Sequence, residues 1–139
     1  MVRVRTYRNQ DLEGVKTLWA EVFPADPPWN RADAAIPEKT AVQPELLLVA
    51  EDAGVVVGTA MAGYDGHRGW LYSVAVKPAR QGSGVGRMLV REAERRLKTL
   101  GCGKINLQVR SANEAVIGFY RRLGYEVEDR VSMGKRTAP

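Results

Sequence analysis

The first part of the chain changes from an alternating pattern of apolar and polar residues to a helical one. The segment "VRVRTYR" alternates as a half-buried strand does. From Leu12 to Phe23 the apolar residues recur at the spacing of one helix face. Asp11 stands where an N-cap residue belongs, and Pro24 follows the repeat. The pattern therefore predicts a strand and then a helix that Asp11 caps and Pro24 ends.

The next segment, residues 24–44, has no continuous pattern. It is rich in proline, with Pro24, Pro27, Pro28, Pro37 and Pro44. Because proline lacks the N–H that helix interiors and sheets use, we predict an irregular loop here. The loop is expected to enclose one short helix around Arg31 to Val42.

Three apolar segments follow, each bounded by turn residues. "LLLVAED" and "VVVGTAMAGY" are separated by Asp52-Ala53-Gly54, and "WLYSVAVKP" comes after the pair Asp65-Gly66. Short turns of this kind join antiparallel strands. The segments therefore predict an antiparallel meander.

The second half of the chain returns to helical spacing. Val85, Leu89, Ala93, Leu97 and Leu100 share one helix face, and Gly101 stands where that helix would stop. We predict a strand over Lys104 to Val109, a helix over Asn113 to Leu123 that Gly124 stops, and a last strand over Tyr125 to Val131. The chain then reads as a single domain over residues 1–139. Its fold class is α/β (α+β), a mixed, mainly antiparallel sheet flanked by helices.

Composition limits the function classes. With 139 residues, 45% of them hydrophobic and 27% charged, the chain can build an ordinary core. Cys102 is the single cysteine and His67 the single histidine, so no disulfide and no metal site are expected. No apolar run has the length of a membrane span or a signal peptide. We expect a cytoplasmic protein with no membrane partner.

The formal net charge of +5 raises the question of nucleic acid. Glu92 precedes Arg96 and Glu94 precedes Lys98 by four residues, the spacing that supports a solvated helix face. An interleaved basic and aromatic stripe is absent from the sequence. We therefore predict that nucleic acid is not a partner.

The stretch "KPARQGSGVGRMLVREAERRL" places alternate glycines directly before a helix. Glycine allows positive φ and a close approach to the backbone, and a helix start offers unpaired N–H groups to an anion. A Walker loop would need Lys and then Ser or Thr where Arg87 and Met88 stand, and a dinucleotide fingerprint would need glycine at Arg87. The remaining pattern is Gln81-x-x-Gly84-x-Gly86 after an apolar strand.

This pattern resembles motif A of the GCN5-related N-acetyltransferases, the GNAT family. "SANEAVIGFYRRLGY", residues 111–125, resembles the family's motif B, and the order of elements is similar over essentially the whole chain. "PWN" at residues 28–30 and "GYDGHRG" at residues 63–69 are similar to the small bacterial YpeA-like branch. The resemblance implies a single GNAT domain that uses acetyl-CoA as cosubstrate and needs no metal.

The resemblance also implies roles for individual residues. Backbone groups of Val74 and Val76 would pair with the pantetheine arm, while their side chains pack as core valines. Asn113 would touch the coenzyme. Tyr120 would lie near the sulfur as general acid, although a packed core tyrosine is the alternative. The pyrophosphate would be bound by Gln81, Gly82, Ser83, Gly84, Val85, Gly86 and Arg87.

Several assignments stay open at this stage. The candidates for the general base are Glu51, Asp65, His67, Tyr72 and Ser73. Cys102 has no activating partner in sequence, which favours direct transfer over an acetyl-enzyme. The acceptor is expected to be a small-molecule or peptide amine.

We expect the acceptor to contact the proline-rich segment and the turn between Tyr64 and Trp70. Trp29 either lines the acceptor site there or packs in the hydrophobic core. The rival function is a non-catalytic acyl-CoA sensor. The oligomeric state is left open, a homodimer included.

Overall fold

The computed structural model describes residues 1–139 and divides them into two compact units, 1–107 and 108–139. The first unit contains five strands and three long helices. In chain order these are β1 (Val2–Thr6), α1 (Leu12–Val22), α2 (Ala32–Val42), β2 (Leu47–Asp52), β3 (Val55–Tyr64), β4 (Gly69–Val76), α3 (Val85–Thr99) and β5 (Ile105–Leu107). The second unit contains α4 (Glu114–Arg122). No helix in the chain has both the length and the apolar character that crossing a bilayer requires.

The strands form one sheet in the order β1-β2-β3-β4-β5. The first four pair antiparallel, and β4 pairs with β5 in parallel. Ala53 and Gly54 join β2 to β3 with φ of 51° and 81°, which is the backbone of a tight hairpin turn. The predicted meander and the mixed, mainly antiparallel sheet are confirmed.

One face of the sheet carries α1 and α2. The core here is apolar, and it contains one buried polar chain from helix to sheet. Trp19 Nε1 donates to Thr59 Oγ1 at 2.8 Å, and that hydroxyl donates to the Ser73 carbonyl at 2.9 Å. The buried side chains on this face include Val15, Leu18, Trp19, Ile36, Leu47, Val49 and Ala75. These hydrogen bonds fix the position of Ser73 in β4. Because the buried polar atoms of Trp19 and Thr59 both have partners, burying them costs little free energy.

The packing of α3 depends on a glycine in β3. A β-carbon on Gly58 would lie 2.8 Å from Leu89 Cδ1 and 3.1 Å from Val85 Cγ1. The first turns of α3 therefore sit directly on the sheet, which fixes the place where this helix begins. Leu100 was predicted on the buried face, but it is 45% exposed because the helix ends at Thr99.

Asp11 precedes α1 as predicted, yet its side chain does not cap that helix. The carboxylate is 5% exposed and accepts two hydrogen bonds from the Arg5 guanidinium, each 2.8 Å long. It also accepts from the Arg8 backbone N–H at 2.8 Å. The hydrogen bond from Arg5 is the largest of the effects that lower the pKa of Asp11. Asp11 thus ties β1 to the start of α1 as a buried ion pair.

The second unit agrees with the sequence only in part. Asn113 precedes α4 and Gly124 follows it with φ of 97°, as predicted. The predicted strand over Tyr125 to Val131 is wrong, because these residues form no strand. Alternation is typical of strands, but here Val127 and Val131 are 67% and 87% exposed and the Arg130 N–H donates locally to Glu128 O. The predicted strand over Lys104 to Val109 is present in shorter form as β5.

Candidate functional site

A bulge in β4 lies where the sequence predicts backbone contacts. Thr59 pairs with Ala75 and Met61 pairs with Tyr72, so β4 has one residue more than β3 across this interval. Ser73 absorbs the difference with φ of 47°, a rare conformation outside glycine. Its carbonyl accepts from Thr59 on the β3 side. Because a trans peptide points its N–H the opposite way, the Val74 N–H faces away from β3.

The outer edge of β4 has no strand partner beyond Leu71, because β5 pairs only with Gly69–Leu71. Lys77 N–H donates to Val57 O at 2.8 Å, so the backbone groups of Lys77 face β3. Because successive residues of a strand direct their N–H and C=O groups to opposite edges, those of Val76 face the outer edge of β4. The Val76 carbonyl accepts from the Gln81 side chain at 3.2 Å. The N–H groups of Val74 and Val76 remain available to an extended ligand.

The glycine loop has the backbone that the sequence predicts. Gly82 and Gly84 have φ of 82° and 93°, and a β-carbon on either would meet no atom within 4 Å. The N-terminal turn of α3 follows immediately, with N–H groups that no helical carbonyl accepts. Arg87 is exposed in this first turn. Open space, backbone donors, the positive end of a helix and a cation together suit a phosphate.

Two contacts of Arg80 hold the loop. Arg80 Nη2 forms an ion pair with Asp52 Oδ2 at 2.6 Å, which ties the loop to the end of β2. The hydroxyl of Ser83 donates to the Arg80 carbonyl. Residues Pro78–Arg80 form a short 3-10 turn between β4 and the glycines. The donors are therefore positioned before any ligand arrives, which lowers the entropy cost of binding.

In the second unit, Tyr120 is 8% exposed. Its ring packs edge-on against Phe119 and Tyr125, with centroids 5.0 and 5.6 Å apart. Burial raises the pKa of Tyr120 to about 12. The phenol therefore keeps its proton at neutral pH. The same observations suit a packed tyrosine and a proton donor.

Asn113 lies one residue before α4, so its side chain caps the helix: Oδ1 accepts from the Val116 N–H at 3.3 Å. The cap engages the oxygen, and the amide nitrogen remains a donor. A contact between Asn113 and coenzyme stays a prediction.

Two of the candidate bases are already engaged. Glu51 accepts from Arg5 Nε at 2.6 Å. Asp65 accepts from the backbone N–H groups of His67 and Arg68, each at 2.7 Å, and the bond from Arg68 is the leading cause of its lowered pKa. His67 is exposed in this turn. Tyr72 is 49% exposed on β4, and burial raises its pKa.

Sequence reasoning missed two polar residues of α2 and its end, Lys39 and Gln43. They lie over the β3–β4 face that carries Tyr72. A β-carbon on Gly63 would lie 3.8 Å from Tyr72 Cε2, 3.9 Å from Gln43 Oε1 and 3.9 Å from Lys39 Nζ. The sequence held one signal for this pair: Lys39 and Gln43 are four residues apart, a spacing that places both on one face of a helix.

Two further predictions concern side chains away from Lys39, Gln43 and Tyr72. The thiol of Cys102 is buried and donates to the Lys104 carbonyl at 3.2 Å, which suits a packing role. Trp29 is 46% exposed, so it does not plug the core.

A mixed sheet opened along its fourth strand, with an anion-type loop and helix directly after it, has the features of a protein that binds an extended ligand ending in a phosphate. Residues 12–125 match the model of the acetyltransferase (GNAT) family, so the chain belongs to that family and is an acetyltransferase. This family uses acetyl-CoA as donor.

The relatives cover nearly the whole chain. An acetyltransferase of Sodalis glossinidius is 46% identical over 136 residues, and one of Pectobacterium atrosepticum is 44% identical over 135. Each alignment spans 97% of this chain and 95% of the relative.

Solved structures share the fold. AAC(6')-Iy, in complex with the bisubstrate analog CoA-S-monomethyl-acetylneamine, superposes with a TM-score of 0.81 at 21% identity and 99% coverage of both chains. Ard1 from Thermoplasma volcanium has a TM-score of 0.81 at 23% identity, covering 91% of this chain and 84% of its own.

Proposed function

We propose that this acetyltransferase moves the acetyl group of acetyl-CoA directly to a primary amine. The observation that carries the proposal is the unpartnered β4 edge at Val74 and Val76, followed at once by the open glycine loop. An extended pantetheine arm would pair with the edge as a further strand, and the N–H groups from Gly82 to Arg87 would bind the pyrophosphate.

The reaction forms a C–N bond between the amine and the acetyl carbon and breaks the C–S bond of the thioester. The N–H of Val74 or Val76 would stabilise the negative charge on the carbonyl oxygen of the tetrahedral intermediate. The amine must lose a proton before or during attack, to a side chain or to a chain of water molecules.

Tyr120 is the proposed general acid for the departing thiolate. Its buried phenol is protonated at neutral pH, with a pKa of about 12. After the donation, the phenolate regains its proton from solvent. Motif B of the family, which residues 111–125 resemble, supports this role.

Direct transfer is favoured over an acetyl-enzyme by the surroundings of Cys102, the single cysteine. Cys102 is buried and its thiol is engaged with a carbonyl. A reactive thiol would need a positively charged or basic neighbour and access to the thioester.

The test compares Tyr120→Phe with the wild type. The substitution keeps the ring and its packing but removes the donor, so coenzyme affinity should survive while kcat falls by roughly 10²–10⁴-fold, the usual size of a general acid step. Titration calorimetry measures affinity, and release of thiol with an acceptor amine measures kcat. Unchanged turnover in Tyr120→Phe would return Tyr120 to a packing role. Coenzyme binding without turnover across a broad amine panel would support the sensor.

A further inference from the structure

Lys39 presents a half-buried ammonium group on the sheet face that carries the β4 bulge. Its Nζ lies 3.9 Å from the position of a β-carbon on Gly63, and the Tyr72 ring lies 3.8 Å from the same position. No hydrogen bond or ion pair within the chain engages this ammonium, and Glu45 acts on it only through its charge. Part of this charge is desolvated without a partner inside the protein, so Lys39 is a candidate site for an anion.

The neighbouring Gln43 does not fill that need, because both ends of its amide are used. Nε2 donates to the Tyr64 carbonyl and Oε1 accepts from the Tyr64 N–H, each at 3.1 Å. This pair of bonds fixes Gln43 as one wall. Gly63 has no side chain, so a space of about the size of a β-carbon separates Gln43, Tyr72 and Lys39.

We propose that Lys39 binds a carboxylate of the acceptor, so that the enzyme acetylates amines that also carry a carboxylate, as amino acids do. This inference rests on the proposed function, because it concerns the second substrate of the same reaction.

The position of the cluster on β4 supports a short acceptor. Tyr72 precedes Val74 by two residues, and the bulge at Ser73 lies between them, so their Cα atoms are at most about 7 Å apart. A small amino acid can bridge that distance, with its amine toward Val74 and its carboxylate toward Lys39. Burial lowers the pKa of Lys39, and a bound carboxylate would restore the charged form by offering the partner that solvent no longer supplies. Tyr72 borders the same space and offers a phenol to the acceptor.

The same charge argues against polycationic acceptors. AAC(6')-Iy, which shares the fold, was solved with an acetylneamine analog, but at 21% identity the likeness extends to the fold alone. In this chain a lysine lies over the β3–β4 face beside Tyr72, and the net charge is +5. Both features repel an amine that carries several positive charges.

The test uses paired acceptors with and without the carboxylate, such as L-leucine and L-leucinamide, with acetyl-CoA as donor. Because the amide lowers the pKa of the reacting amine, kcat/KM is expressed per unprotonated amine. For the wild type, kcat/KM should be higher for the acid than for the amide by about ten- to hundredfold, the range of a charge-assisted hydrogen bond. In Lys39→Met this ratio should fall to about one, and Lys39→Arg should restore part of it. Lys98→Met, which removes an exposed lysine of α3, is the matched control and should keep the wild-type ratio.

A second readout does not depend on turnover. Calorimetry should show that N-acetyl-leucine binds the wild type more tightly than N-acetyl-leucinamide, and that Lys39→Met abolishes the difference. If no amine is turned over but this difference holds, the proposed function fails and the carboxylate site stands. Equal binding of the two ligands, a wild-type preference for the amide, or an equal loss of turnover on both acceptors in Lys39→Met would overturn the site.

Discussion

Gly84 adopts φ of 93° immediately before α3, and substitutions there separate backbone strain from charge. A β-carbon at this position would meet no atom within 4 Å, so added bulk causes no clash inside the protein. Any L-residue strains this conformation by about 1–2 kcal/mol. Gly84→Gln and Gly84→Glu share that strain and nearly the same size, and only the second adds a negative charge.

The charge sets the expected difference in coenzyme affinity. Two unit charges 4 Å apart repel by about 1 kcal/mol in water and by about 4 kcal/mol near a protein surface. A pyrophosphate bound at the N-terminus of α3 would lie close to a side chain at Gly84. Gly84→Glu should therefore bind acetyl-CoA more weakly than Gly84→Gln by at least about fivefold and up to several hundredfold.

Titration calorimetry with acetyl-CoA at low and high salt measures the effect, and melting without ligand measures the shared strain. Both variants should melt below the wild type, with Gly84→Glu slightly less affected because a negative charge is favourable at a helix N-terminus. The gap in their affinities for acetyl-CoA should narrow as salt screens the charge. Gly103→Glu is the control, because a side chain at Gly103 meets open space without a positive φ. Equal affinities for Gly84→Gln and Gly84→Glu at low salt would remove the anion site from this loop.

Three further predictions concern the thiol, the packing of α3 and the buried ion pair. Cys102→Ser should keep most activity, and rapid quenching should trap no acetylated enzyme; an acetyl-Cys102 that decays at the turnover rate would overturn direct transfer. Gly58→Ala should lower the free energy of unfolding by about 1–3 kcal/mol through overpacking against α3, and an unchanged denaturant midpoint would contradict that packing. Arg5→Met should cost about 3 kcal/mol by leaving the Asp11 carboxylate buried without its cation. Because Arg5 lowers the pKa of Asp11 below its ordinary 3.8, wild-type stability from this pair is present above that pH and is lost as pH falls through the lowered pKa; a stability profile of Arg5→Met with the same acid limb would refute this role.

The helices and the meander were predictable because each repeats one spacing over many residues. The apolar face of α1 and the buried face of α3 need only a periodic pattern and a nearby stop residue. Leu100 continued that pattern after the helix had ended, and the segment from Tyr125 to Val131 alternated without forming a strand. Both errors arise because a local pattern does not contain the tertiary partner that decides where an element ends.

The candidate site divides in the same way. The glycine loop was predictable because positive φ and a helix start are local properties of adjacent residues. The cluster of Lys39 and Tyr72 was not predictable, because α2 and β4 bring together residues from distant parts of the sequence. Asp11 shows that the role of a single side chain does not follow from its position in the sequence. Its place before α1 predicted a cap, while Arg5, a strand residue, determines what the carboxylate does.

The proposed reaction transfers the acetyl group from acetyl-CoA to the nitrogen of an amine. Its most direct measurement incubates the wild type with acetyl-CoA and a panel of amines, counts the released thiol and identifies each product by mass spectrometry in the same sample. We predict one N-acetylated amine for every thiol released, for at least one amine of the panel. Thiol release without an acetylated amine, or coenzyme binding without release of thiol for any amine, would contradict it.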